Sequence, residues 1–363
     1  MAHGGEFGVE TVRHFNGHLF ADADVVPLTG EDLDRIHLVT GLDWSAIDPS
    51  IFGTLFERAL DPAKRSQLGA HYTSRDDIET IVDPVVMAPL LREWDNVRGD
   101  VDALLAPGHK KADAAKADAK LQDYLHRLQH VHVLDPACGS GNFLYVVLQK
   151  LKNLEKQVIL YAMDRGFSGY LPQVGPWQLH GIEVNPYAYE LAQMTVWIGW
   201  LQWIESNGFG EPQEPILQAL ETFTCRDAIL TQHPDGSATE PEWPKVDFIV
   251  SNPPFLGTKK LRSQLGDPYV ESLYGLYRER IPNFSDLCCY WFEKARAHVQ
   301  SGDCERVGML ATQGIRGGLN REVLKRIKRT GDIFFALSDQ EWILDGANVH
   351  VSMVGFDSGD EQL

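Results

Sequence analysis

The chain has 363 residues, 44% hydrophobic and 23% charged, with a formal net charge of −18. That length exceeds a minimal domain and buries a large core, and the composition is that of a soluble globular protein. Met1-Ala2-His3-Gly4-Gly5-Glu6 does not start a secretory leader, and the longest apolar stretch, Thr195 to Ile204, falls well short of a membrane span, so a cytoplasmic location without membrane association is expected.

The first 68 residues read as a small helical region. Thr29, followed by Glu31 and Asp32, is a helix cap with acids in the first turn. Pro49-Ser50 opens a second helix, in which Phe52, Leu55, Phe56 and Leu60 recur at helical spacing. Helix resumes from about Asp76 to Leu91, tolerating interruptions near Pro84 and Pro89. Pro107 to Lys120, rich in Ala, Lys and Asp, reads as a linker-like insertion running into a helix with the stripe Leu121, Tyr124, Leu125 and Leu128. Beyond residue 130, strands alternate with helices. The predicted strands are Val131 to Asp135, Leu179 to Glu183, Phe223 to Cys225, Val246 to Ser251, Arg306 to Ala311, Ile333 to Leu337 and Val349 to Phe356. Helices are predicted from about Asn142 and from Tyr187 to Trp203. This pattern predicts an α/β fold, a mostly parallel sheet covered on both faces, with ligands at the carboxyl ends of strands.

Three strings at strand ends carry chemistry. In Asp135-Pro136-Ala137-Cys138-Gly139-Ser140-Gly141-Asn142-Phe143, Gly139 and Gly141 permit special backbone conformations and close ligand approach, and the following helix offers unpaired N–H groups. A Gly-x-Gly turn also fits a dinucleotide site, but the third glycine of that fingerprint is missing. Glu183, ending the next strand, is placed to accept from both hydroxyls of a ribose. Ser251-Asn252-Pro253-Pro254-Phe255 follows the apolar strand and suits a planar exocyclic amine, a poor nucleophile because its lone pair is delocalised. The Asn252 side-chain oxygen and the Pro253 carbonyl can accept from its two N–H groups, favouring a more tetrahedral nitrogen aimed at a sulfonium methyl. Pro253 and Pro254 stiffen the loop, and Phe255 offers a ring on which a flipped base can stack. In Gly69-Ala70-His71-Tyr72-Thr73-Ser74 the hydroxyls fit either a ligand carboxylate or a helix cap, and Asp227 fits either an adenine amine or a turn.

Together these strings resemble the gamma-type amino-methyltransferases. Phe15-Asn16-Gly17 with Leu19-Phe20, the run Asp48 to Ser74, and Ser338 to Phe356 extend the resemblance to MmeI-like restriction–modification enzymes. The resemblance implies a class I methyltransferase (Rossmann-like) fold: a seven-stranded mixed sheet whose last strand, Val349 to Phe356, runs antiparallel, behind a helical spacer over residues 1–68. It implies S-adenosyl-L-methionine as cofactor, contacted by Tyr72, Thr73, Asp135, Ala137, Gly139, Gly141, Phe143, Glu183 and Asp227. It further implies that a methyltransferase domain over residues 69–363 acts on the N6 amine of an adenine flipped from double-stranded DNA. Thr312-Gln313-Gly314 departs from the family's Asn and Ser at that strand end.

The charge of −18 sits awkwardly with a DNA substrate, whose binding rests on phosphate neutralisation. Lys259, Lys260 and Arg262, just after the catalytic loop, are placed to hold backbone near the target base. The basic run Arg316 to Arg329 fits either phosphate or a solvated helix face. A separate or missing target-recognition domain is therefore expected. Cys138, Cys225, Cys288, Cys289 and Cys304 lack paired spacing, so neither a disulfide frame nor a metal is expected, and Cys288-Cys289 read as buried helix residues. Two rival readings are a protein glutamine-N5 methyltransferase, whose amide is equally flat, and a partner-dependent or inactive cofactor-binding module.

Overall fold

The computed structural model describes residues 5–7, 10–12, 27–42, 47–49, 51, 73–209, 220–344 and 347–359. Helix α1, Gly30–Thr40, starts where the sequence places it: the Thr29 hydroxyl accepts from the Asp32 amide and the Asp32 carboxylate accepts from the Thr29 amide. The predicted helix through Phe52, Leu55, Phe56 and Leu60 lies outside the described residues.

The Ser74 hydroxyl caps α2, Arg75–Val82. The helix tolerates a local irregularity at Pro84, as the sequence suggests, and runs on past Pro89 beyond its expected end at Leu91. The backbone widens into a π-turn, Asp83–Met87, where the Ala88 amide reaches back to the Asp83 carbonyl, and continues as α3, Ala88–Leu104. Proline lacks the N–H of an α-turn, and one wide turn absorbs that loss while Ile81, Val82, Val85 and Val86 stay buried. Most of the Ala-, Lys- and Asp-rich stretch is also helix. In α4, Lys111–Gln129, residues Ala117, Leu121, Tyr124, Leu125 and Leu128 are buried, and the helix packs on α3.

Seven strands form the central sheet: β1 (Val133–Asp135), β2 (Leu179–Glu183), β3 (Phe223–Cys225), β4 (Phe248–Ser251), β5 (Arg306–Thr312), β6 (Asp332–Leu344) and β7 (Ala347–Asp357). Their order across the sheet is β6-β7-β5-β4-β1-β2-β3. β1 pairs in parallel with β2 and β4, placing Leu134 beside His180 and Ile249. β7 runs antiparallel to both β5 and β6, which is the seven-stranded mixed sheet implied by the resemblance. β6 continues past its predicted end at Leu337 because it forms a long hairpin with β7.

Helices α5 (Asn142–Asp164) and α6 (Pro186–Ser206) precede α7 (Thr258–Leu265), α8 (Asp267–Leu276), α9 (Cys288–Ser301) and α10 (Arg321–Thr330). Strand alternation divides the core by face. Val133, Phe248, Val250, Leu310 and Met353 pack with α2 to α6, whereas Leu134, Ile249, Met309, Val354 and Phe356 pack with α7 to α10. Cys288 and Cys289 are buried in α9, as predicted. Among the described residues, no helix is long and apolar enough to cross a membrane.

Candidate active site

The strand order reverses at β1, and the chain segments leaving β1, β2, β3 and β4 open a crevice at their carboxyl ends. A cavity of about 290 Å³ lies there, near the lower end of the ~300–1,000 Å³ usual for small-molecule sites. The loop after β1 contributes Asp135, Ala137 and Gly139, and the first turn of α5 contributes Phe143. Glu183 and Asp227 come from the ends of β2 and β3, Asn252, Pro254 and Phe255 from the end of β4, and Thr73 from the entry to α2. Pro253 is buried and Gly141 is not on the cavity wall, while Tyr72 lies outside the described residues.

Asp135 is buried. Its Oδ1 accepts from the Ala137 amide at 3.0 Å and from the Ser251 hydroxyl at 2.6 Å. Glu183 holds the same loop from β2: Oε2 accepts from the Gly139 amide at 2.9 Å and Oε1 from the Asn185 amide at 2.8 Å. Burial raises the proton affinity of both acids. Asp135 is pushed up to about 7, mainly by desolvation and slightly by the Glu183 charge, against the Ser251 and Ala137 hydrogen bonds. Glu183 is raised by desolvation, against its backbone hydrogen bonds. The site therefore favours a cationic ligand, which would let both carboxylates ionise.

The two glycines of the loop serve different ends. Gly139 has φ +53 and a Cβ there would enter open space, leaving room beside the loop. Gly141 has φ +86, but a Cβ there would lie 2.9 Å from the Ala192 backbone. The positive φ at both glycines agrees with the special backbone conformations expected there, and at Gly141 the close approach of α6 is a further constraint that the sequence does not reveal.

Asn252 is half-buried, and its Nδ2 donates to the Thr73 hydroxyl at 3.1 Å. Thr73 is therefore engaged with the Asn252 to Phe255 loop, a contact its place before a helix does not reveal. Phe255 packs against the cores on both faces of the sheet. Beyond it, the Leu256 amide donates to Asp286 Oδ1 at 3.3 Å and the Leu256 carbonyl accepts from the Leu287 amide at 3.2 Å. Asp227 fits both sequence alternatives at once. It lines the cavity, yet Oδ1 accepts from the amides of Ile229 and Leu230 at 2.8 and 3.0 Å, and Oδ2 from the Tyr269 hydroxyl at 2.7 Å.

Sequence reasoning missed Ser251 as the partner of Asp135, Tyr269 as the partner of Asp227, and Trp291, whose indole donates to the Pro136 carbonyl at 3.0 Å. Ser251 alone carried a signal, standing beside Asn252 at the end of an apolar strand. The basic residues divide. Lys259 and Lys260 are exposed on the first turn of α7. Arg262 is held by Asp267 at 2.8 Å and Glu271 at 2.5 Å, and Arg316 by Asp339 at 2.8 Å. In the run after Arg316, Lys325 pairs with Glu322, Arg326 with Glu293 and Lys328 with Asp332.

The family model for "MmeI, DNA-methyltransferase domain" matches residues 110–363. DNA methyltransferase A of Bacillus subtilis (strain 168) is 26% identical across 94% of this chain and 38% of that protein. The structure of the Type IIL restriction-modification enzyme MmeI in complex with DNA superimposes with a TM-score of 0.75 at 25% identity, covering 96% of this chain and 45% of that one. A DrdV–DNA complex shares the fold, with a TM-score of 0.51 at 14% identity over 86% of this chain and 29% of that chain. The chain thus spans less than half the length of these relatives. With its mixed seven-stranded sheet and a match over most of its length, this chain belongs to the MmeI DNA-methyltransferase domain family.

Proposed function

We propose that this chain transfers a methyl group from S-adenosylmethionine to the N6 amine of an adenine flipped from double-stranded DNA, as part of a restriction–modification system. The observation that carries this reading is the Asn252 amide. Its nitrogen is committed to Thr73 at 3.1 Å, which leaves its oxygen as the acceptor for an incoming amine on the wall of the same cavity as Asp135 and Glu183.

The residues fit the cofactor. The buried Asp135 and the half-buried Glu183, both of raised proton affinity, suit a ligand with ammonium and sulfonium charges, and the open space beside Gly139 suits close ligand contact. Glu183, at the end of β2, would hold the ribose, and Asp135, Ala137, Gly139 and Phe143 the methionyl side. When bound, S-adenosylmethionine supplies an electrophilic methyl group. The chain's own part is placement. Asn252 accepts from the amine, the proline-stiffened loop fixes the distance, and Phe255 provides the stacking face for the base. Residues 1–68 are assigned to a helical spacer and 69–363 to the methyltransferase domain, with Lys259 and Lys260 as DNA-backbone contacts and Arg262 and Arg316 as weaker candidates. Site choice is assigned to a separate or missing target-recognition domain.

The test is transfer of labelled methyl from the cofactor to adenine-containing duplex DNA, with a release-factor-like protein as rival acceptor and N6-methyladenine identified by mass spectrometry. Asn252→Ala is expected to lower turnover by about 10²-fold or more. Label in the protein acceptor, or an Asn252→Ala variant as active as the parent, would overturn the reading.

A further inference from the structure

Resting on the cofactor reading above, we propose that the Gln264 side-chain amide recognises the 6-amino group of the cofactor's adenine ring. Buried polar atoms in folded proteins are nearly always hydrogen-bonded, and those that are not call for an explanation. Among the described residues, the cavity wall carries two buried side-chain oxygens without a partner, Asn142 Oδ1 and Gln264 Oε1. Asn142 also borders a second, smaller cavity with Asp48 and Thr73, so its oxygen has two sides to face. Gln264 lines the main cavity.

The position of Gln264 selects its ligand group. The sheet order places β1, β2 and β3 side by side, so the glycine loop, Glu183 and Asp227 form a line along the crevice. A nucleoside with its ribose at Glu183 directs its base toward Asp227. Tyr269 of α8 reaches that end through its hydroxyl on Asp227, and Gln264 and Leu265, at the end of α7 just before α8, line the same cavity. Asp227 already accepts from two backbone amides and the Tyr269 hydroxyl, so most of its acceptor capacity is in use. Among the described residues, Gln264 contributes a buried side-chain oxygen with no partner to the wall of that cavity. A carboxamide also matches an adenine edge, accepting from the exocyclic amine while donating to a neighbouring ring nitrogen. Because α7 leaves directly from the catalytic loop, base recognition at Gln264 would bear on the segment that carries Asn252.

Calorimetric binding of S-adenosylhomocysteine to the whole chain, compared with an analogue bearing hydrogen in place of the 6-amine, tests this. The parent is expected to prefer the amine-bearing ligand by at least about fivefold, and Gln264→Leu to bring the preference below about twofold. Gln264→Glu keeps an acceptor and should keep the preference. Melting of each variant without ligand verifies the fold, and Gln264→Leu should melt no lower than the parent, since it removes an unpaired buried oxygen. A Gln264→Leu variant that retains the parent's preference, or a parent with none, overturns the proposal. If the parent binds neither ligand, the cofactor reading itself fails and this one falls with it.

Discussion

The Asn252 amide and the Thr73 hydroxyl, 179 residues apart in the chain, meet at 3.1 Å on the wall of the cavity. A side-chain amide can rotate and exchange its oxygen and nitrogen. With its nitrogen donating to Thr73, the amide presents its oxygen on the other side, which is the orientation the proposed acceptance from an amine requires.

Thr73→Val keeps the shape and removes the acceptor. Turnover is expected to fall by about tenfold, with cofactor KM changed by less than about threefold, and Thr73→Ser should recover most of the rate. A large rise in cofactor KM at unchanged kcat would instead place Thr73 on the cofactor carboxylate.

Asp135 gives a pH signature. Its folded value is about 7 against an ordinary value of 3.8, so the folded protein binds more protons than the unfolded chain between those limits. Stability of the ligand-free protein should therefore fall as pH rises through that window, by up to about 4 kcal/mol from this group. Urea denaturation from pH 4 to 8 measures the slope, which Asp135→Asn should flatten. A cationic ligand favours the ionised acid, so cofactor affinity should rise as pH passes 7 upward. Identical slopes in parent and variant would remove Asp135 as the cause.

The two loop glycines should separate stability from binding. Gly141→Ala forces a Cβ to 2.9 Å from the Ala192 backbone at positive φ, and is expected to destabilise by about 3 kcal/mol or more. Gly139→Ala meets no neighbour and should cost only about 1–2 kcal/mol of backbone strain, yet weaken cofactor binding at least about tenfold. Thermal melting with and without ligand distinguishes them. Equal melting temperatures for the two variants would contradict the assigned roles.

With a net charge of −18, this chain alone should bind duplex DNA weakly and with little sequence preference. Exchanging Lys259 and Lys260 for Gln should reduce the slope of log K against log salt by roughly 2. Arg262→Gln should change it less, since Asp267 and Glu271 already hold that guanidinium. Tight, sequence-specific binding of the chain to a short duplex would refute this.

The sheet was legible because alternation and strand-end motifs are local signals, and the strand-end residues Asp135, Glu183, Asp227 and Asn252 converge on one cavity. What escaped depends on tertiary partners. Packing on Ala192 explains Gly141. The pairs Ser251 with Asp135 and Tyr269 with Asp227 span 116 and 42 residues, beyond the reach of any local pattern.

Phe255 touches the apolar interior on both faces of the sheet. Its ring acts as a rivet through two plates, and Asn252 sits three residues away on the same short segment. Repacking on either face, even far from the crevice, therefore has a mechanical path to Asn252. Variation intended only to harden this protein against heat is expected to shift that side chain too unless the rivet is left in place.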